Sequence, residues 1–215
     1  MTNGTPPISG WWWARVPAQG LLPARLVFVY SDAHPDGTDV AMTAEQVDAD
    51  LPRGPVATVL QGERDEPVGI DIAPTLAPNA PPLWFAEIRE STGRPPAVNI
   101  VAFVGHGVGD GRLLDEAALR DVDVVSADQV AAIRWYPATG EVDQIYVQPN
   151  WRRRHIATVM LHAAATVAVA RAWPRLWGDG QRTSMGEQMR NNSYWRRRAA
   201  DLTYTTPPMT PGEVG

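Results

Sequence analysis

Asp143 to Ala157 reads DQIYVQPNWRRRHIA, and Thr158 to Ala170 continues TVMLHAAATVAVA. Val142 to Val147 has the β-branched and aromatic content of a strand. Pro149 stops the pairing, because it has no N–H to give to a ladder. Three arginines then make a tight turn, and from Arg154 to Ala172 the composition changes to Ala, Leu, Met and Val at helical spacing. Trp173-Pro174 ends that helix. A helix N-terminus leaves its first four N–H groups unpaired and carries about half a positive charge. A turn that aims further N–H groups at the same point makes an anion nest. Arginines beside it add bidentate phosphate contacts. Strand, turn and helix in this order therefore read as a cradle for a pyrophosphate. An ordinary strand-to-helix connection needs neither three consecutive arginines nor a small residue at Ala157.

The wider composition narrows the chemistry. The chain of 215 residues is 44% hydrophobic and 20% charged, enough to bury a core. It contains no cysteine, which excludes disulfides, thiolate metal sites and cysteine nucleophiles. All 19 basic residues are arginine, so lysine Schiff bases and Walker-type phosphate loops are excluded too. The histidines His34, His106, His155 and His162 form no HExxH, so no metal site is expected. No run approaches a membrane span and the first ten residues lack a signal-peptide plan, which points to a cytoplasmic protein.

Charge is distributed unevenly. Trp151 to Ala200 holds ten arginines against two acids, a net of +8, while the rest of the chain carries −13. The basic segment either meets an anion or pairs with the protein's own acidic half. Fourteen of the 20 prolines precede residue 101, so the first half is expected to be rich in short strands and ordered loops.

Outside the opening stretch, strands are expected at Arg25–Tyr30, Val56–Leu60, Val68–Ile72, Leu83–Arg89, Ala97–Val104 and Val130–Tyr136, the second and third joined as a hairpin by the charged turn GERDE at 62–66. Thr43 and Gln46 have the order of a capping box, which predicts a helix to Leu51. Leu113 to Leu119 reads as a helical turn or two. Leu176-Trp177 reads as a short strand, and a second helix runs from Thr183 or Ser184 to about Leu202. Trp11-Trp12-Trp13 reads as an anchor of the amino terminus onto the core. The loop GHGVGDG at 105–111 fails the dinucleotide fingerprint, since Asp110 and Arg112 stand where the third glycine is required.

Ile145-Tyr146-Val147-Gln148-Pro149-Asn150-Trp151 followed by Arg152-Arg153-Arg154-His155-Ile156-Ala157 resembles motif A of the GNAT superfamily of N-acetyltransferases. That motif is an apolar strand, V-x-P, an aromatic, then Q/R-x-x-G-x-G/A opening a helix. One position departs: His155 stands where the first glycine usually lies. The resemblance extends over residues 129–202. It implies an α/β fold with a mixed, mostly antiparallel central sheet flanked by helices, here with an enlarged β-rich amino-terminal half. The implied organisation is a Pro-rich half at 1–128, an acetyl-CoA-binding core at 129–204 and a tail at 205–215.

By the same resemblance, acetyl-CoA is the co-substrate and no metal takes part. Ile145, Tyr146 and Val147 lie along its pantetheine arm, with Ile145 and Val147 offering backbone groups. Arg152, Arg153, Arg154, His155, Ile156, Ala157 and Thr158 hold its diphosphate. Asp179-Gly180 marks the point where two parallel strands separate to admit it. Asp143 is the candidate base for an amine acceptor, and Tyr194 the candidate proton donor to the departing sulfur. The acceptor is a small-molecule amine or the N-terminal or side-chain amine of a protein, and homodimerisation fits the family's habit. A closing pair of strands is short or absent after Leu202. A non-catalytic structural or interaction protein of a phage or mobile element, and a nucleic-acid modifier using the arginine strip, therefore stay open beside the acetyltransferase.

Overall fold

The computed structural model describes residues 10–50, 55–191 and 198–205. Strand β1 (Gly10–Val16) carries the tryptophan triplet, and strand alternation divides it between two faces. Trp11 and Trp13 enter the main core, whereas Trp12, Ala14 and Val16 pack on the opposite side. The triplet thus fixes the amino terminus as a buried strand inside a sheet. β2 (Arg25–Ser31) pairs antiparallel with β1, and β3 (Asp39–Ala41) pairs parallel on its other edge. The expected capping box is present: Thr43 N–H donates to Gln46 Oε1 at 2.8 Å and Gln46 N–H to Thr43 Oγ1 at 3.2 Å. It opens α1 (Ala44–Asp50), whose Val47 covers the outer face beside Trp12 and Met42. β4 (Ala57–Gln61) and β5 (Pro67–Ile72) form the expected hairpin and complete a sheet of order β3-β1-β2-β4-β5.

A second sheet takes β6 (Trp84–Glu90), β7 (Ala97–Phe103), β8 (Leu113–Leu114), β9 (Ala131–Tyr136), β10 (Glu141–Val147) and β11 (Trp177–Gly178), in the order β11-β10-β9-β7-β6-β8. Its central pairs are antiparallel, and β8 and β11 run parallel to their neighbours at the two edges. The stretch expected as a helical turn at 113–119 divides. Its first two residues form β8 beside β6, and α2 (Glu116–Leu119) begins only where the Asp115 carboxylate caps Ala118 N–H at 2.8 Å.

Between the sheets lies α3 (Ile156–Ala170). It has no polar face, and twelve of its fifteen residues are buried. A helix apolar all round needs cover on every side, and here β4 and β5 supply it from one sheet while β7, β9 and β10 supply it from the other. Arg153 and His155 take positive φ, which delays the helix to Ile156.

The sheets also meet directly. Ile70 N–H donates to Gly111 O at 2.7 Å and Gly111 N–H to Leu83 O at 2.7 Å, with a bridge between Gly69 and Arg112. On another side the Asp36 carboxylate accepts from Trp11 N–H at 2.8 Å, Arg175 at 2.8 Å and Arg198 at 3.0 Å. Burial pushes the Asp36 carboxyl up, but the Trp11 N–H and the two guanidiniums outweigh it and hold the group below its ordinary range. At the far end of α3, Arg171 reaches Glu87, which is 4% exposed, at 2.8 Å, and also binds Glu66.

After β12 (Gln181–Arg182) comes α4 (Ser184–Asn191). The sequence suggests a helix reaching Leu202, but residues 198–203 are not helical. They run beside Gly178 and Gly180, where Gly178 N–H donates to Arg198 O and Thr203 N–H to Gly180 O. A Cβ on Gly180 would lie 2.5 Å from Asp201 O, so the missing side chain permits this approach. β13 (Tyr204–Thr205) then pairs parallel with β12, a closing strand of only two residues.

Two stability tests follow from this packing. Gly111 has φ +72°, and a Cβ there would lie 2.7 Å from Ile70 O at the seam between the sheets. Gly111→Ala is expected to cost about 2–4 kcal/mol in denaturant unfolding. Gly107→Ala, at the same φ but with nothing within 4 Å, should cost only about 1 kcal/mol. His162 on α3 is 2% exposed, 5.4 Å from the Trp11 ring, and burial pushes its imidazole down to about 4. Between the ordinary value of 6.5 and that value the unfolded chain binds a proton that the folded one does not. Stability should therefore fall as pH is lowered from 6.5 to 4, by up to roughly 3 kcal/mol from this group. Thermal melts across that range should lose this part of their slope in His162→Leu.

Candidate functional site

The open feature of the second sheet is the outer edge of β10. β11 pairs with it only at Glu141 and Val142. At that point the register with β9 shifts between Val142 and Gln144, so Asp143 is the extra residue of a β-bulge. A bulge bends its strand and ends regular pairing. Beyond it, Asp143 to Val147 has no strand on its outer side among the described residues.

The backbone groups along this edge have a defined direction. Gln148 N–H donates to Val130 O at 2.9 Å, toward β9. Antiparallel ladders alternate, so Gln144, Tyr146 and Gln148 turn their N–H and C=O groups to β9, while Ile145 and Val147 turn theirs to the open edge. The side chains of Ile145 and Val147 pack against the core around α3. The Tyr146 side chain lies on the other face of the sheet, and its backbone is committed to β9.

Below the open edge the chain turns through a 3-10 segment, Pro149–Trp151, into Arg152, Arg153, Arg154 and His155. Arg152 is half-buried, and its Nε donates to Val147 O at 3.0 Å. Arg153 and Arg154 are exposed, and the Arg154 guanidinium lies 5.0 Å above the Trp151 ring. None of these three arginines is ion-paired among the described residues. By contrast Arg171, Arg175, Arg182, Arg190 and Arg198 all hold carboxylates of the same chain. Among the described residues, the positive excess read in the sequence is thus internally neutralised after the helix and left unmatched at the turn. Ile156 is 1% exposed and pins the start of α3 into the core, leaving the N–H groups of Ile156, Ala157 and Thr158 at a free helix end.

His155 precedes that helix with φ +58° and ψ +13°, the left-handed region. Its side chain is exposed. The position where the motif expects glycine therefore does use a glycine-like backbone, which histidine adopts at a cost.

Asp143 lies at the bulge with its carboxylate engaged on both oxygens. Arg134 Nη1 donates at 2.6 Å and the Tyr136 hydroxyl at 2.9 Å. Arg134 also donates to Glu90 at 2.9 Å, and Asn99 donates to the same carboxylate at 2.7 Å. The Asn99 and Arg134 donors hold the Glu90 carboxyl below its usual range. The hydrogen bond to Asp143 raises the Tyr136 hydroxyl, which keeps it a donor. Sequence reading singled out Asp143 alone. The alternation of buried Ala131, Ile133 and Trp135 with Ala132, Arg134 and Tyr136 in β9 was the signal that would have put Arg134 and Tyr136 on its face.

Tyr194 lies outside the described residues. Among the described residues no cluster of His, Cys, Asp or Glu is able to hold a metal ion, and no helix is long and apolar enough to cross a membrane. A groove of about 460 Å³ opens elsewhere, between β5, the proline-rich loop before β6 and Asp110–Arg112. Its mostly apolar walls include Val159 near the start of α3.

The strained residue before α3 gives a direct test. His155→Gly should raise stability by about 0.5–1 kcal/mol by relieving the left-handed backbone. An unchanged or lowered unfolding midpoint would show that His155 carries no such strain.

Comparison with curated proteins and with solved structures yields no match. Residues 79–183 match the family model described as acetyltransferase (GNAT) family. The matched span begins before β6 and ends after β12, so it takes in strands on both sides of residue 128 together with the bulge, the arginine turn and α3. Residues 79–183 are accordingly a GNAT-family domain.

Proposed function

We propose that the protein transfers an acetyl group from acetyl-CoA to an amine. The observation that carries this reading is the coincidence, among the described residues, of three features: the bulge at Asp143, the open edge of β10 beyond it, and the free N-terminus of α3 beside three arginines without acidic partners. An open strand edge pairs with an extended ligand that carries amides, and a helix N-terminus with adjacent arginines suits a diphosphate. The donor matching both has an amide-bearing arm and a diphosphate at its end. On this reading Ile145 and Val147 bind the arm by their backbone groups. Arg152, Arg153 and Arg154, with the N–H groups from His155 to Thr158, hold the diphosphate.

Acetyl-CoA supplies an activated thioester, and the chain's task is to deliver a neutral amine to it. An amine arrives at neutral pH as an ammonium ion. The face bearing Asp143 and Glu90 favours such a cation, and the acidic body of the chain supports the same preference. Asp143, held in place by Arg134 and Tyr136, accepts the proton directly or through water. The amine then attacks the thioester carbonyl, and the departing sulfur takes a proton, for which Tyr194 is the proposed donor. The acceptor is a small-molecule amine or an amine of a protein, met in the cytoplasm. Because five arginines of the strip are paired internally, the free charge at the turn suits a compact diphosphate better than a nucleic-acid backbone.

The test is release of free coenzyme A during incubation with acetyl-CoA and a panel of polyamines, aminoglycosides and basic peptides. With an accepted amine, Asp143→Asn should lower kcat about 10²–10⁴-fold while acetyl-CoA affinity stays within about twofold. An unaltered rate would remove Asp143 from the reaction. No turnover with any amine, despite coenzyme binding, would favour the non-catalytic reading.

A further inference from the structure

We infer that Arg152 selects the acyl donor, by closing the open edge of β10 until a diphosphate draws its guanidinium away. The inference rests on the proposed reading of the cleft and names a role for one residue within it. Val147 turns its carbonyl to the open edge, and Arg152 Nε donates to that carbonyl at 3.0 Å. The arginine therefore lies across the edge that an amide-bearing arm would need and takes one of the two lone pairs of its carbonyl acceptor. Its position in sequence ties it to the other half of the site as well. It stands three residues before His155, in the turn that the proposed reading assigns to the diphosphate. No carboxylate competes for it among the described residues, so the Val147 carbonyl is the partner that the structure gives it.

A guanidinium bonds more strongly to a charged oxygen than to a neutral carbonyl. A diphosphate at the helix N-terminus thus takes Arg152 from Val147 and frees the strand edge. A donor with both parts, arm and diphosphate, pairs with the edge at no loss. A donor with the arm alone must displace the arginine and leave its charge without that partner. Arg153 and Arg154 have no bond to the strand and play no part in this choice, although their charge still favours the anion. The result is a site that takes diphosphate-bearing thioesters and discriminates against acyl groups carried on pantetheine alone.

The test compares pantetheine, inorganic pyrophosphate and coenzyme A as ligands of the full chain by calorimetry. In the wild-type protein, saturating pyrophosphate should tighten pantetheine binding at least threefold, because both ligands favour the same state of one side chain, with the Arg152 guanidinium away from Val147. Arg152→Met keeps the apolar stem and loses the donor. It should bind pantetheine at least threefold more tightly and coenzyme A about tenfold more weakly than wild type. Arg153→Met should weaken coenzyme A without improving pantetheine. Pantetheine affinity indifferent to pyrophosphate in the wild type would overturn the selection, and that measurement needs no variant to fold. Unchanged or weaker pantetheine binding in Arg152→Met would overturn it too. If wild-type protein fails to bind coenzyme A at all, the reading of the cleft falls and the selection with it.

Discussion

A helix with no polar face must be surrounded, and the architecture follows from surrounding α3. Its fifteen residues bury twelve side chains, including His162, with Met160 fully enclosed. One sheet covers half of such a surface. The enlarged amino-terminal half supplies the other sheet, with Trp11, Trp13, Phe28, Val59 and Ile70 facing the helix side of the core. The amino-terminal sheet is therefore as necessary to the position of α3 as the sheet that carries β10. Each such buried apolar side chain contributes about 1.5–3 kcal/mol of transfer free energy, before the entropy of ordering it is counted.

The same constraint fixes the site. Ile156 is held in the core, so the start of α3 stands at a set place beside the end of β10, and the turn between them has few residues with which to reverse direction. Arg153 and His155 absorb the reversal with left-handed backbone. Polar contacts at the periphery keep the clasp closed: Asp36 with Arg175 and Arg198, and Glu87 with Arg171. Glu87 and Arg171 are a nearly buried pair, of which neither partner is removable without leaving a charge stranded. These contacts use up basic residues that would otherwise widen the positive surface, so that among the described arginines of residues 151–200 the charge without an acidic partner lies at Arg152, Arg153 and Arg154.

Much of this was legible in the sequence where local rules dominate. The capping box at Thr43, the hairpin around GERDE and the stop at Pro149 each depend on residues a few positions apart. So does the strand-turn-helix order of 142–170. The GNAT resemblance rested on that last segment, and the family match includes it. What escaped depended on distant partners. Nothing near Trp11 announces a strand, since three tryptophans alternate faces only when both faces have cover. The end of the second helix was set too late because Gly178 and Gly180, far upstream, accept the backbone of 198–203. The bulge at Asp143 is a property of pairing with β9, so its coincidence with the opening of the sheet was not visible. Arg134 and Tyr136 were missed as partners of Asp143 for the same reason.

The central claim is that the donor lies along the open edge of β10 and ends at the N-terminus of α3. Amide hydrogen exchange with and without acetyl-CoA tests it most directly, because Ile145 and Val147 point their N–H groups outward and have no strand partner among the described residues. The account predicts that millimolar acetyl-CoA slows exchange across residues 143–158 and leaves the amino-terminal sheet and the groove beside β5 unchanged. Exchange in 143–158 that is indifferent to acetyl-CoA, or protection confined to another part of the molecule, would contradict it.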